Sequence, residues 1–226
     1  MYLDVNCRKW GFVLLTPYSL PLTELREEPT MLRDLILRTR SYRRFRQDVS
    51  VEKETLRELV DLARLSASAA NRQPLKFFLS WEPERNKRIF PYLAWAGYLT
   101  DWPGPEEGER PAAYIVLLGD TSITTEFDSD PGIACQSILL GATERSLGGC
   151  IFGAVDRKGL QKEFSIAPRY RIIHVIALGV PVETVVLEEM QTENSYRYWR
   201  DEKGIHHVPK RPLSQFVLEA ERDLQD

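Results

Sequence analysis

Apolar positions along the chain change period several times, and each change marks an element. From Met31 to Thr39, the residues Leu32, Leu35 and Ile36 recur at helical spacing. A second helix is expected after Ser50, its predicted N-cap, with Glu52 and Glu54 suited to the positive end of the dipole. Leu56, Leu59, Val60 and Ala63, with Leu62 beside them, form its apolar stripe, so it packs on a core. Its tail, Ser66 to Asn71, carries no large side chain, and Pro74 closes it.

Leu75 to Trp81 reads as a strand, and Glu84 to Ala96 as a helix carrying Ile89, Phe90, Leu93 and Trp95. Asp101 to Gly108 is rich in turn residues; it reads either as cover over a pocket or as a solvated connection. The unbroken apolar run Ala112 to Leu118 predicts a buried strand. Asp130, the expected N-cap, and Pro131 open the longest helix, which runs to about Leu147 and is ended by Gly148-Gly149. It is apolar on more than one face, so it is central. Cys150 to Val155 is short and apolar, Gly159 to Phe164 suggests a small helix, and Ile172 to Leu178 reads as another strand. Glu183 to Val208 looks polar and irregular, anchored by Tyr196, Tyr198 and Trp199; a short terminal helix follows Leu213. This mixed order, without internal repeats, predicts one α+β domain with a central sheet and helices packed around it. Residues 1–30 read as an irregular N-terminal extension and 31–226 as the domain, with Met31 a candidate start of the functional chain.

Composition narrows the function. Hydrophobic residues make up 43% and charged residues 28%, as in a soluble globular chain. A net charge of -3 argues against a general nucleic-acid binder. Three cysteines without CxxC spacing favour a reducing compartment, here the cytoplasm, and no structural metal. No apolar run is long enough for a membrane span. His206-His207 lacks a carboxylate at ligand spacing and is expected at the surface rather than at a metal. His174 is expected to be structural, and Cys135 and Cys150 have no base to make them nucleophiles.

Four stretches remain. Arg40-Ser41-Tyr42-Arg43-Arg44-Phe45 concentrates cations beside a hydroxyl, which suits a phosphate. Ser68-Ala69-Ala70-Asn71-Arg72-Gln73-Pro74 offers two amides, each donor and acceptor, among small residues. Gly148 to Gly153 would let a flat ring approach the backbone. Lys210-Arg211, stiffened by Pro212, supplies a second cationic site. Taken singly, each has a bland reading: a solvated patch, a turn, a helix cap, a surface pair.

In combination and order they resemble the nitroreductase family, from about Met31 to Val217. The resemblance implies a nitroreductase-like fold, with a central, mostly antiparallel sheet flanked by helices in a domain-swapped homodimer. It further implies FMN at the subunit interface, bound by Arg40, Ser41, Arg43, Ser68, Asn71, Gln73, Ile151, Phe152, Gly153, Lys210 and Arg211. The second motif reaches the FMN of the partner subunit in that family. The implied activity takes hydride from NADH or NADPH, as transient reductant, and reduces a small-molecule electron acceptor such as a nitroaromatic or quinone by a ping-pong mechanism. No catalytic side chain, metal, nucleic acid or membrane is expected. Two alternatives stand beside it: a flavin carrier or sensor without turnover, and a relative that dehalogenates or fragments a flavin. Thr39 departs from the family, where another arginine is common, as do Ala67 and Leu75.

Overall fold

The computed structural model of the protein describes residues 31–192 and 195–218; the expected extension, Cys7 and the end of the predicted terminal helix lie outside them. The spine is a long strand, β5, Tyr170–Pro181. On one side it pairs with β3, Ala113–Asp120, which pairs in turn with β2, Leu75–Ser80. On the other side it carries β4, Gly148–Phe152, and a two-residue β1, Phe45–Arg46. Every pairing in this sheet is antiparallel. The fold is α+β, as the element order predicts.

The unbroken apolar run of β3 is explained by burial on both faces. Ile115 and Leu117 point to a core shared with α2 (Lys53–Leu65) and α4 (Asp130–Glu144), where Leu56, Leu59, Ile138 and Ala142 are fully buried. Tyr114 and Val116 point to the opposite core, built with Ile89 of α3 (Pro83–Ile89), Leu160 of α5 (Arg157–Glu163), Cys150 and Phe152. Each fully buried Leu or Ile contributes about 1.5–3 kcal/mol of transfer free energy, so the sheet is clamped from both sides. The α1 helix, Met31–Arg38, touches α4 but buries no residue of its own.

Several local expectations give way to specific competitors. The α-helix expected over Glu84 to Ala96 ends at Ile89 and gives way to a single 3₁₀ turn, Phe90–Tyr92, because Pro91 has no N–H to continue the α-helical bonding. The α2 helix starts at Lys53 with Glu52 as N-cap; the Ser50 hydroxyl bonds the Glu52 carboxylate instead. Asp130 is the first residue of α4 rather than its cap, which is Ser129. The α4 helix ends at Glu144, and the left-handed residue after it is Ser146, φ 59°; Gly148 and Gly149 belong to β4.

The largest departure is the segment expected to be irregular. It forms a second sheet, in which β8 (His206–Lys210) pairs parallel with β6 (Val185–Glu189) and antiparallel with β7 (Trp199–Arg200). Polar side chains hid it: Trp199 stacks on His207 with ring centroids 4.0 Å apart, a contact no period-2 pattern reveals. The predicted terminal helix appears in the described residues only as a single 3₁₀ turn, Leu213–Gln215.

Candidate functional site

At the C-terminal end of α4 the cationic stretch is built into the sheet. Ser41 bridges Gly149, and the Tyr42 N–H donates to the Gly149 carbonyl at 3.0 Å. The two glycines are required by that junction. A Cβ on Gly148 would lie 2.5 Å from the Tyr42 ring, and one on Gly149 would lie 2.7 Å from the Ala177 carbonyl oxygen. Thr39 turns inward, its hydroxyl 2.8 Å from that of Thr143, so this position offers no cation. The Arg40 guanidinium donates to the Ile36 carbonyl at 2.6 Å, and its Nε is buried without a partner. Arg44 makes a paired contact with Glu109, which holds that carboxyl below its usual range.

Arg43 is 8% exposed, and its surroundings are charged. Its backbone N–H donates to Glu183, whose other carboxylate oxygen accepts from Arg200 at 3.0 Å. Its Nη1 donates to the Ser41 carbonyl and lies 3.2 Å from His206 Nε2. The Tyr198 ring lies 4.7 Å from the guanidinium. His206 is 1% exposed; burial, then Arg43 and Arg200, push its pKa down to about 4. Burial opposes charge on His207 too, but hydrogen bonds to Glu188 and Asp201 outweigh it and raise its pKa. The pair is therefore not a surface pair: both rings are packed, on opposite faces of β8.

Beyond the junction, Ile151 is 39% exposed, and a Cβ on Gly153 would meet nothing within 4 Å. Phe152 faces inward, with Trp95 edge-on at 4.6 Å. The Asp101 to Gly108 loop packs there: Trp102 meets Trp95 at 6.2 Å, and Gly104, φ +125°, sits where a Cβ would be 2.8 Å from the Trp95 ring. Arg157 steadies the exit of β4. Its guanidinium bonds the carbonyls of Gly153, Ile172 and Ile173, the last being the residue left over where the β3–β5 register slips. Cys150 and Cys135 are buried, which pushes both thiols up, Cys135 to about 12, and disfavours the thiolate.

At the N-terminal end of α4 lies the other motif. Ala70, Asn71 and Gln73 have φ of 49°, 53° and 51°, a left-handed conformation that non-glycine residues resist. Asp130, 4% exposed, imposes it: one carboxylate oxygen accepts from the Ser68 hydroxyl at 2.6 Å, the other from the Ala69 N–H at 2.8 Å. Ser68 then accepts from the Gln73 N–H at 2.9 Å. The Asn71 and Gln73 amides are exposed and, among the described residues, bond only to each other and to the loop backbone. A cavity of about 490 Å³ lined by Val60, Phe77, Leu79, Ser68, Gln73 and Asp130 adjoins this loop. The sequence marks Asp130 only as a helix cap, because its partners in the loop lie 61 and 62 positions away and no local spacing links them.

One chain thus joins the Arg40 to Arg43 stretch to β4, which leads into Ile151, Phe152 and Gly153, and sets Ser68, Asn71 and Gln73 elsewhere. The residues that fix the two groups, Asp130 and Thr143, are 13 positions apart on α4, about 20 Å at 1.5 Å per residue. Lys210 and Arg211 stand apart as well. They are exposed, and among the described residues no hydrogen bond or ion pair joins them to Arg40, Ser41 or Arg43. Lys210 lies four residues along β8 from His206, about 13 Å.

The model of the nitroreductase family matches residues 36–180. The chain belongs to the nitroreductase family. A Bacillus subtilis protein named as an NAD(P)H nitroreductase is 24% identical over 182 residues, 66% of this chain and 89% of that one. A nitroreductase from Desulfovibrio desulfuricans, solved in complex with FMN, superposes with a TM-score of 0.62 at 21% identity over 85% of this chain and 98% of that one. A protein from Clostridium acetobutylicum, named as an NADH oxidase, does so with a TM-score of 0.53 at 26% identity over 66% and 87%. The nitroreductase match includes both ends of α4 and the five-stranded sheet up to Val180, and stops before β6, β7 and β8.

Proposed function

We propose that the protein is an FMN-dependent oxidoreductase that works as a homodimer, each cofactor site being assembled from the α4 C-terminal end of one subunit and the α4 N-terminal end of the other. The carrying observation is the separation of two complementary donor sets, about 20 Å apart on one helix. Cations and an open strand face lie at one end; strained, exposed amides lie at the other. Neither set suffices for a ligand with a phosphate, a polyol and a flat ring. Apolar side chains exposed on α1 and at the C-terminal turn, Met31 at 78%, Leu213 at 76% and Phe216 at 68%, support association with a second copy.

The residues fit FMN. The orphaned Nε of Arg40, with Ser41, would supply donors for the phosphate; Lys210 and Arg211 stand apart from them within one chain and would add charge from the end of β8. Arg43 places a fixed positive charge beside the strand on which the ring would lie. Ser68, Asn71 and Gln73 of the partner subunit would contribute the hydroxyl and amides, and Ile151, Phe152 and Gly153 the surface against the ring. Bound FMN would supply two-electron transfer between a nicotinamide and an acceptor. The two small molecules, NADH or NADPH and then a nitroaromatic, quinone or similar conjugated compound, would alternate in one pocket, giving ping-pong kinetics. No side chain of the chain is needed as a general acid. Two buried free thiols suit a reducing compartment such as the cytoplasm.

The test is the absorbance spectrum of the purified protein with added FMN, followed by anaerobic titration with NADH and with NADPH. The expected result is a yellow dimer that either nicotinamide bleaches and a quinone restores. A yellow protein that neither bleaches is a carrier. A protein that gains no flavin absorbance refutes the proposal altogether.

A further inference from the structure

The second sheet sends one buried side chain into the cationic end of the site. His206 opens β8, its backbone N–H donating to the Thr184 carbonyl at 2.9 Å, and its ring lies against the Arg43 guanidinium and the Tyr198 ring. Burial, reinforced by the positive charges of Arg43 and Arg200, keeps the imidazole neutral at pH 7. A neutral ring facing Arg43 Nη1 at 3.2 Å must accept through Nε2, which puts its proton on Nδ1. Nη1 is thus taken up by His206 and the Ser41 carbonyl, and Tyr198 covers one face of the guanidinium. The Nε and Nη2 donors of Arg43 make no hydrogen bond among the described residues and are not shut off from solvent. Arg43 is therefore held by one corner, with a two-donor edge left free.

We propose that His206 is a positioning residue: it fixes the direction of the free edge of Arg43, and so sets how far this arginine favours the reduced over the oxidised form of FMN. The inference rests on the FMN reading above and extends it. FMN taking up two electrons and one proton gains a negative charge on its pyrimidine side. A cation held in one orientation stabilises that charge more than one free to swing toward solvent. Glu183 fixes the Arg43 backbone from the other side, so the guanidinium is the part left for His206 to direct. Strand β8 lies outside the matched region, so this control is supplied by the part of the chain beyond residue 180.

The experiment compares His206→Phe, which removes the acceptor, with His206→Gln, which keeps a neutral one. The FMN midpoint potential is measured by anaerobic dithionite titration against a reference dye, and unfolding by heat alongside. H206F is expected to shift the equilibrium between oxidised and reduced FMN about tenfold toward the oxidised form, about 30 mV for a two-electron couple. H206Q is expected to stay within about twofold of the parent. Unchanged potential in H206F with a lowered melting temperature would show that His206 only packs. H206L serves the same comparison where H206F does not fold. In the unmodified, flavin-free protein, ¹⁵N NMR of the imidazole tests the premise by itself. A proton on Nδ1 is expected; a proton on Nε2 overturns the proposal even if FMN binds, whereas failure to bind FMN with the proton on Nδ1 points to the cofactor reading as the error.

Discussion

The two ends of α4 handle polar groups in opposite ways. At the C-terminal end, charge is taken inward: Glu183, Arg200, Arg43 and His206 are largely buried, and each is held by another member or by backbone. At the N-terminal end only Asp130 is buried, and its carboxylate is spent on forcing Ser68 to Gln73 into a shape the chain resists while leaving two amides displayed. The first arrangement suits a group that must keep one charge state and one direction. The second suits a group completed by something outside the chain. A buried ionic network costs stability unless every member is satisfied, and a left-handed non-glycine residue costs about 1–3 kcal/mol. Both ends therefore carry a cost that packing alone does not explain.

Breaking the inward end should have the largest effect. Glu183→Ala leaves two backbone donors of the cationic stretch and Arg200 without their acceptor. A loss of about 4 kcal/mol is expected in urea unfolding; a loss under about 1 kcal/mol would mean that the network does not hold the stretch. Breaking the outward end should cost less, because the loop is exposed. Asp130→Ala removes two charge-assisted hydrogen bonds and should cost about 2 kcal/mol. Amide exchange should quicken across Ser68 to Gln73 and stay unchanged at Arg43; equal quickening at both would show that the ends are not independent. The smallest effect sharpens the contrast. Ala70→Gly relieves a left-handed alanine and should stabilise the protein by about 0.5 kcal/mol, the relief exceeding the added freedom of the unfolded chain. A destabilised variant would mean that the strain at Ala70 is not real.

Much of the framework was legible because burial writes itself into short patterns. The runs at Leu75 to Trp81, Ala112 to Leu118 and Ile172 to Leu178 became β2, β3 and most of β5, and Leu56, Leu59 and Ala63 became the inner stripe of α2. The second sheet was not legible, because its strands are short, partly exposed and held by pairs such as Trp199 with His207 rather than by an apolar face. For the site, residue types disclosed a demand for cations, amides and glycines. They did not disclose the roles of Asp130, Glu183 or His206, whose contacts with Ser68, Ala69 and Arg43 span 61 to 163 positions.

The amino-acid order by itself determined the kinds of chemistry available, the α+β alternation and the family resemblance, since all three depend on neighbours within a turn or a strand. Only the tertiary structure decided which of those groups share a place. It joined Ser41 to Gly149, set His206 beside Arg43, and put the amides of Asn71 and Gln73 a helix length away. Burial, orientation and protonation depend on long-range packing, and no local spacing carries that information.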